Sequence, residues 1–264
     1  MIDGTQVLSQ EERKMKKLFL ALLAGLMIAG CAPKNDPEPT PEPTPEETAE
    51  AQLGENEGKP TLGGWTVNTD HNAMMAEDDV ETFNAAMEGL VGVGYTPVQV
   101  IATQLVSGTN YAYLATGTTV TAEPQTNYYV VVVYKDLQGN VKITAINQID
   151  LADVHTKEVS DAQMVGTWEI TDTGKPGMLP GQDAQSSFDE ATKELLGVTL
   201  NPIVLFGTQV VAGTNYMALC RGRTTTQDPQ LNLYVVTWNT DPEGKSSVVS
   251  NEVFDIEYYV TPQE

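Results

Sequence analysis

The side chains that do most protein chemistry are few here. The chain has two histidines, His71 and His155, and two cysteines, Cys31 and Cys220. A metal centre needs several N, S or O ligands at short, regular spacing, and no His/Cys cluster has it. A cysteine nucleophile needs a base beside it. Cys220 sits instead in the apolar run Met217-Ala218-Leu219-Cys220, where an earlier copy of the same sequence carries Ala115, so it reads as a small packed residue. Both histidines lie in polar, loop-like sequence and read as surface residues. Gly89, Gly92 and Gly94 superficially suggest a phosphate loop but lack the preceding strand and following helix that one requires. Glu77-Asp78-Asp79 suits the positive end of a helix dipole. No enzyme, cofactor or metal site is expected.

Cys31 has a different context. Lys16 and Lys17 precede an unbroken apolar or small run, Leu18 to Ala29, and Gly30 then leads into Cys31. A basic segment, an apolar core of about 7–15 residues and small residues before a cut describe a secretory signal. The run is shorter than the roughly 20 apolar residues that span a membrane. Ala29-Gly30-Cys31 resembles the lipobox of bacterial lipoproteins. That resemblance implies residues 1–30 as a signal peptide and a lipid on the Cys31 thiol, anchoring the chain on the outer side of a bacterial membrane; the simpler alternative is a plain secretory signal. Residues 1–14 precede the Met15-Lys16-Lys17 start of the signal and read as an over-extended start. Residues 31–60 follow as a Pro/Glu/Thr-rich linker, with proline at 33, 37, 39, 41, 43 and 45. Such a segment buries little and favours extended polyproline II, which suits a spacer.

The net charge is −22, and residues 31–264 alone carry 10 basic against 33 acidic residues. That argues against nucleic acid, whose phosphates need a positive footprint. It also argues against electrostatic docking on anionic lipid. Beyond Cys31 only Cys220 remains, so no internal disulfide is available to residues 32–264.

The strongest pattern is a repeat. Residues 103–111 read TQLVSGTNY and residues 208–216 read TQVVAGTNY. Phe83, Gly92, Pro97, Gly117 and Tyr129-Val130-Val131 recur at 188, 197, 202, 222 and 234–236, and Gly63 and Trp65 recur at Gly166 and Trp168. A period of 105 residues is the size of a small domain. Two domains are expected, at 61–155 and 162–260. In each, a short strand precedes a helix whose apolar residues fall at helical spacing: Val80, Phe83, Met87 and Leu90, then Phe188, Ala191, Leu195 and Leu196. Four strands follow, in the first copy at 97–106, 109–118, 127–135 and 140–150. Turns are expected at Asp136–Asn140 and Asp241–Gly244, with glycine supplying positive φ. The fold class is α+β, with a β-α-β-β-β-β order and one helix covering one face of an antiparallel sheet.

Gln104-Leu105-Val106-Ser107-Gly108 and Gln209-Val210-Val211-Ala212-Gly213 both fit Q-x-V-x-G, placed where the second and third strands join. In this setting each copy resembles the cystatins, inhibitors of papain-like cysteine peptidases. The resemblance implies two tandem cystatin-like domains, each an antiparallel sheet wrapped on one helix. It also implies that the hairpin enters a peptidase cleft beside the catalytic cysteine without reacting. Gly63 and Gly64 in the first copy and Gly166 in the second match the glycine of the family's N-terminal trunk. The Pro-Trp pair that many cystatins carry on the second hairpin is absent; Trp238, three residues before that turn, reads as packed on the sheet. The physics of the motif agrees: a tip carrying Leu105, Val106, Val210 and Val211 is too apolar for an ordinary turn, and a rigid apolar wedge binds at low ordering cost. Two functions stay open. One is a lipid-anchored, monomeric reversible inhibitor of papain-like cysteine peptidases. The other is a non-inhibitory cystatin-like surface module for binding or spacing.

Overall fold

In the computed structural model the described residues are 63–69, 75–152, 154, 167–171, 179 and 181–263. The signal and spacer segments, Cys31, His71, His155 and Gly166 lie outside them.

The first half runs β1 (Trp65–Val67), α1 (Glu77–Met87), β2 (Val93–Val106), β3 (Gly108–Thr119), β4 (Thr126–Lys135) and β5 (Val141–Gln148). The second half repeats it as β6 (Glu169–Ile170), α2 (Gly181–Thr192), β7 (Val198–Val211), β8 (Gly213–Thr224), β9 (Leu231–Thr240) and β10 (Ser246–Val253), and adds α3 (Ile256–Val260). Each half forms a five-stranded antiparallel sheet in sequential order, β1-β2-β3-β4-β5 and β6-β7-β8-β9-β10. The molecule is therefore α+β, with two sheets and few helices.

Both faces of the central strands are buried, by different partners. Along β4, Tyr129, Val131 and Val133 pack with Phe83 of α1, while Tyr128, Val130 and Val132 point the other way. The same alternation in β9 sends Tyr234, Val236 and Trp238 toward Phe188 of α2, and Leu233 and Val235 to the opposite face. The two inward sets belong to one cluster, in which Ile101, Leu114 and Val130 join Phe206, Leu219 and Val235. The layers are thus helix, sheet, sheet, helix, and residues 54–264 form one compact unit. Polar contacts stitch the inner faces. The Tyr128 hydroxyl reaches the Thr171 and Leu205 carbonyls at 2.5 and 3.2 Å. Arg221 Nε donates to the Asn68 carbonyl at 2.7 Å. Asn147 Nδ2 donates to the Tyr259 and Thr261 carbonyls, docking α3 on the first half.

The repeated residues now have reasons. The Tyr129 and Tyr234 rings lie across Gly117 and Gly222, where an added Cβ would come within 2.6 and 2.3 Å of ring carbons. Pro97 and Pro202 mark matching bulges in β2 and β7, where the register shifts by one residue. Proline lacks an N–H, so an irregularity in the ladder is where a strand tolerates it.

The helices stop earlier than their periodicity predicts. α1 ends at Met87, because Gly89 at φ +84° turns the chain out of the helix. α2 ends at Thr192, whose hydroxyl donates back to the Phe188 carbonyl. Leu90 and Leu196, expected on the apolar helix faces, are therefore exposed in the connections to β2 and β7. Helix α3 carries no such periodicity in its five residues; Asp255 caps it through a bond from the Tyr258 amide.

Candidate functional site

The β2–β3 ladder closes in a one-residue tip. Val106 pairs with Gly108, and Ser107 lies between them. Gly108 at φ +130° and Gly213 at φ +106° make these closures possible. Both also sit against a neighbouring strand: an added Cβ would lie 2.4 Å from the Lys135 carbonyl oxygen and 2.2 Å from that of Thr240. Glycine here serves fold as well as tip shape, and a Gly213→Arg change would distort the hairpin itself.

The tips are exposed. Leu105 and Val106 are 38 and 40 % exposed, and Ser107 is open to solvent. In the second half Val210 is 70 % exposed, Ala212 is exposed, Val211 is half-buried and Gln209 is buried.

Two other segments of the first half lie on the same sheet end. Gly63 N donates to the Leu105 carbonyl at 3.2 Å, which brings the chain before β1 alongside the tip. On the other side the Tyr134 hydroxyl donates to the Ser107 carbonyl at 2.6 Å, placing the β4–β5 turn next to it. The edge thus runs from Gly63 through Leu105–Ser107 to Asp136–Asn140, with Leu137 80 % exposed at the turn. At about 4.8 Å per strand spacing, four spacings from β1 to β5 make it roughly 19 Å wide. Gly64 follows at a half-buried bend before Trp65.

The turn itself is pre-organised. The Asp136 carboxylate accepts from the Asn140 side chain at 2.8 Å and from the Gln138 and Asn140 amides at 2.9 and 2.8 Å. These bonds, led by that from the Asn140 side chain, hold its carboxyl below the usual carboxylate range. The matching turn of the second half has Asp241 accepting from the Lys245 amide at 2.8 Å, with Pro242 and Glu243 exposed.

The second tip lies far from the first. Trp168 and Gln209, near the second tip, line a shallow cavity with Asn127, Gln148 and Asp150 of the first half. Asn127 pairs with Gly117, nine positions along β3 from the first tip at Gly108. The two tips are thus separated by about 30 Å, the length of nine or ten strand residues.

The other candidates fall out as packing. Cys220 is fully buried in β8, and burial pushes its thiol far above the usual range. Trp238 is buried, stacked on Tyr216, edge-on to Phe188, and donates to the Ser187 hydroxyl at 2.9 Å. Among the described residues no group of three or more His, Cys, Asp and Glu side chains could hold a metal ion, and no helix is long and apolar enough to cross a membrane. Sequence reasoning did not single out Tyr134 or Leu137; an apolar residue inside an otherwise polar five-residue turn was the available signal for Leu137. Comparison with protein-family models finds no match, and comparison with curated proteins finds none either.

Proposed function

We propose that this chain belongs with the cystatins and acts as a reversible inhibitor of papain-like cysteine peptidases, held on the outer side of a bacterial membrane by a lipid on Cys31. The observation that carries the reading is the edge built by Gly63, Leu105–Ser107 and Leu137. It is narrow, exposed, apolar at its tips and fixed by backbone and side-chain hydrogen bonds. A convex edge of this kind fits a cleft and loses little freedom on entering it. The cystatin resemblance implies occlusion by contact, without a covalent step. Leu137 supplies an apolar side chain where the Pro-Trp pair is absent. Val210, Val211 and Ala212 offer a second wedge about 30 Å away, so one chain can occupy two peptidase molecules.

The test is a titration of the native chain against active-site-counted papain. The reading expects two equivalents of enzyme to be blocked by one chain. Absence of inhibition at micromolar chain would refute it and leave the non-inhibitory surface module. Proteolytic release of the anchored chain from membranes, against a Cys31→Ser variant that is never retained, tests the anchor separately.

A further inference from the structure

The motif glutamine has no obvious task at an apolar tip, since its side chain is neither apolar nor at the apex. The structure gives it one. Gln104 pairs directly opposite Asn110 across the β2–β3 ladder, and Asn110 Nδ2 donates to Gln104 Oε1 at 2.6 Å. That bond consumes the acceptor end of the glutamine amide and orients its donor end outward. The Nε2 then donates to the carbonyl of Gly63 at 3.0 Å, forty-one residues earlier in the chain. Gly63 also donates its own amide to the Leu105 carbonyl at 3.2 Å. One exposed residue is therefore held by two bonds, one to the backbone and one to the side chain of consecutive hairpin residues.

We infer that Gln104 is a positioning residue, a side-chain clamp that locks the segment before β1 against the hairpin so that trunk and tip present one rigid edge. This rests on the inhibitory reading for its purpose, though not for its geometry. The chemistry explains the residue types. The task needs one acceptor, to be fixed by Asn110, and one donor, to reach Gly63, within a single side chain. Glutamate and lysine each supply only one of these. It also explains why the repeated stretch extends past the glycine to Thr-Asn-Tyr: the asparagine aims the glutamine. The second half builds the same arm, with Asn215 Nδ2 donating to Gln209 Oε1 at 2.9 Å and Asn239 Nδ2 donating to Asn215 Oδ1 at 2.8 Å. Without the clamp, Gly63 keeps one long backbone bond to the hairpin in an exposed position, and exposed backbone hydrogen bonds open most readily.

The test is Gln104→Glu in the full chain, read by amide hydrogen exchange. At neutral pH the carboxylate cannot donate to the Gly63 carbonyl. Exchange at Gly63 should quicken about fivefold relative to Tyr113 of the same hairpin, the factor for loss of one ordinary hydrogen bond. Lowering the pH below about 4.3 protonates the glutamate, restores a donor and should erase the difference from the unaltered chain. Unchanged exchange at Gly63, equal acceleration at Tyr113, or a difference that persists at low pH would each overturn the clamp. A second arm places Gln104→Glu in a Val210→Asp chain, where only the first tip can act, and expects inhibition of papain about fivefold weaker. If the Val210→Asp chain does not inhibit at all, the functional reading fails at the first tip while the exchange arm still decides the clamp.

Discussion

Val210→Asp is the most informative single change at the tips. Val210 is 70 % exposed in the free protein, so the substitution costs the fold little. Surface replacements of this kind stay within about 0.5 kcal/mol. In a complex the side chain would be covered. Full burial of a valine is worth about 1.5–3 kcal/mol, so covering the exposed fraction contributes about 1–2 kcal/mol. Forcing a carboxylate into the same apolar contact adds at least the desolvation cost of about 1–3 kcal/mol that a neutral polar group would meet there. Together these, about 2–5 kcal/mol, weaken the second wedge by about thirtyfold or more. Because the tips are remote, the first wedge should be untouched. Papain titration should therefore fall from two equivalents to one, with an unchanged melting temperature. Val106→Asp should remove the other equivalent with a smaller loss per site, since Val106 has only 40 % of its surface left to cover. The double variant should block none. If it still titrates papain, the tips are not the inhibitory surface and the wedge is wrong.

Other outcomes follow from the packing. Gly222→Ala drives a methyl into the Tyr234 ring and should cost about 1–3 kcal/mol, seen as a lower melting temperature; combining it with Tyr234→Leu should cost less than the sum. The depressed carboxyl of Asp136 means that its charged form is favoured in the folded turn. Its contribution is present above the ordinary carboxylate pKa and lost as pH falls through the lower folded value, so amide exchange at Gln138 and Asn140 should accelerate selectively in acid. An isolated first half, residues 61–155, should elute as a dimer or aggregate, and a well-behaved folded monomer would contradict the shared core.

The order and type of the elements were legible because both halves write them twice. Val/Ile/Tyr/Thr runs and Asp-x-x-Gly turns set β2–β5 to within a few residues and, through the repeat, the order of β7–β10, and Phe83 and Phe188 fell on the buried helix faces. The tips were legible as apolar residues where a turn wants polar ones. Helix ends were misplaced because Leu90 and Leu196 continue the apolar spacing past Met87 and Thr192; at α1 the stop is set by Gly89 at positive φ, to which periodicity is blind. The Gln104–Gly63 clamp could not be read, since it depends on a bond between residues forty-one apart. The packing of sheet on sheet had a signal that went unused. Tyr128 to Val133 is apolar at every position, and a strand with one wet face would alternate.

That unbroken run bears on how the two wedges must be tested. If each sheet had one helix-covered face and one solvated face, the halves could be separated and assayed alone. Instead the inner face of the first half carries Val98, Ile101, Leu114, Tyr128, Val130, Val132, Ile149 and Leu151, all buried in the common cluster. At about 1.5–3 kcal/mol for each such side chain, stripping away the second half would expose up to roughly 24 kcal/mol of burial. Whole domains of this size are stable by only about 5–15 kcal/mol. An inactive isolated half would therefore report lost folding as readily as lost function. Point changes at exposed tip positions leave that shared core intact, so they alone can assign inhibition to one tip or the other.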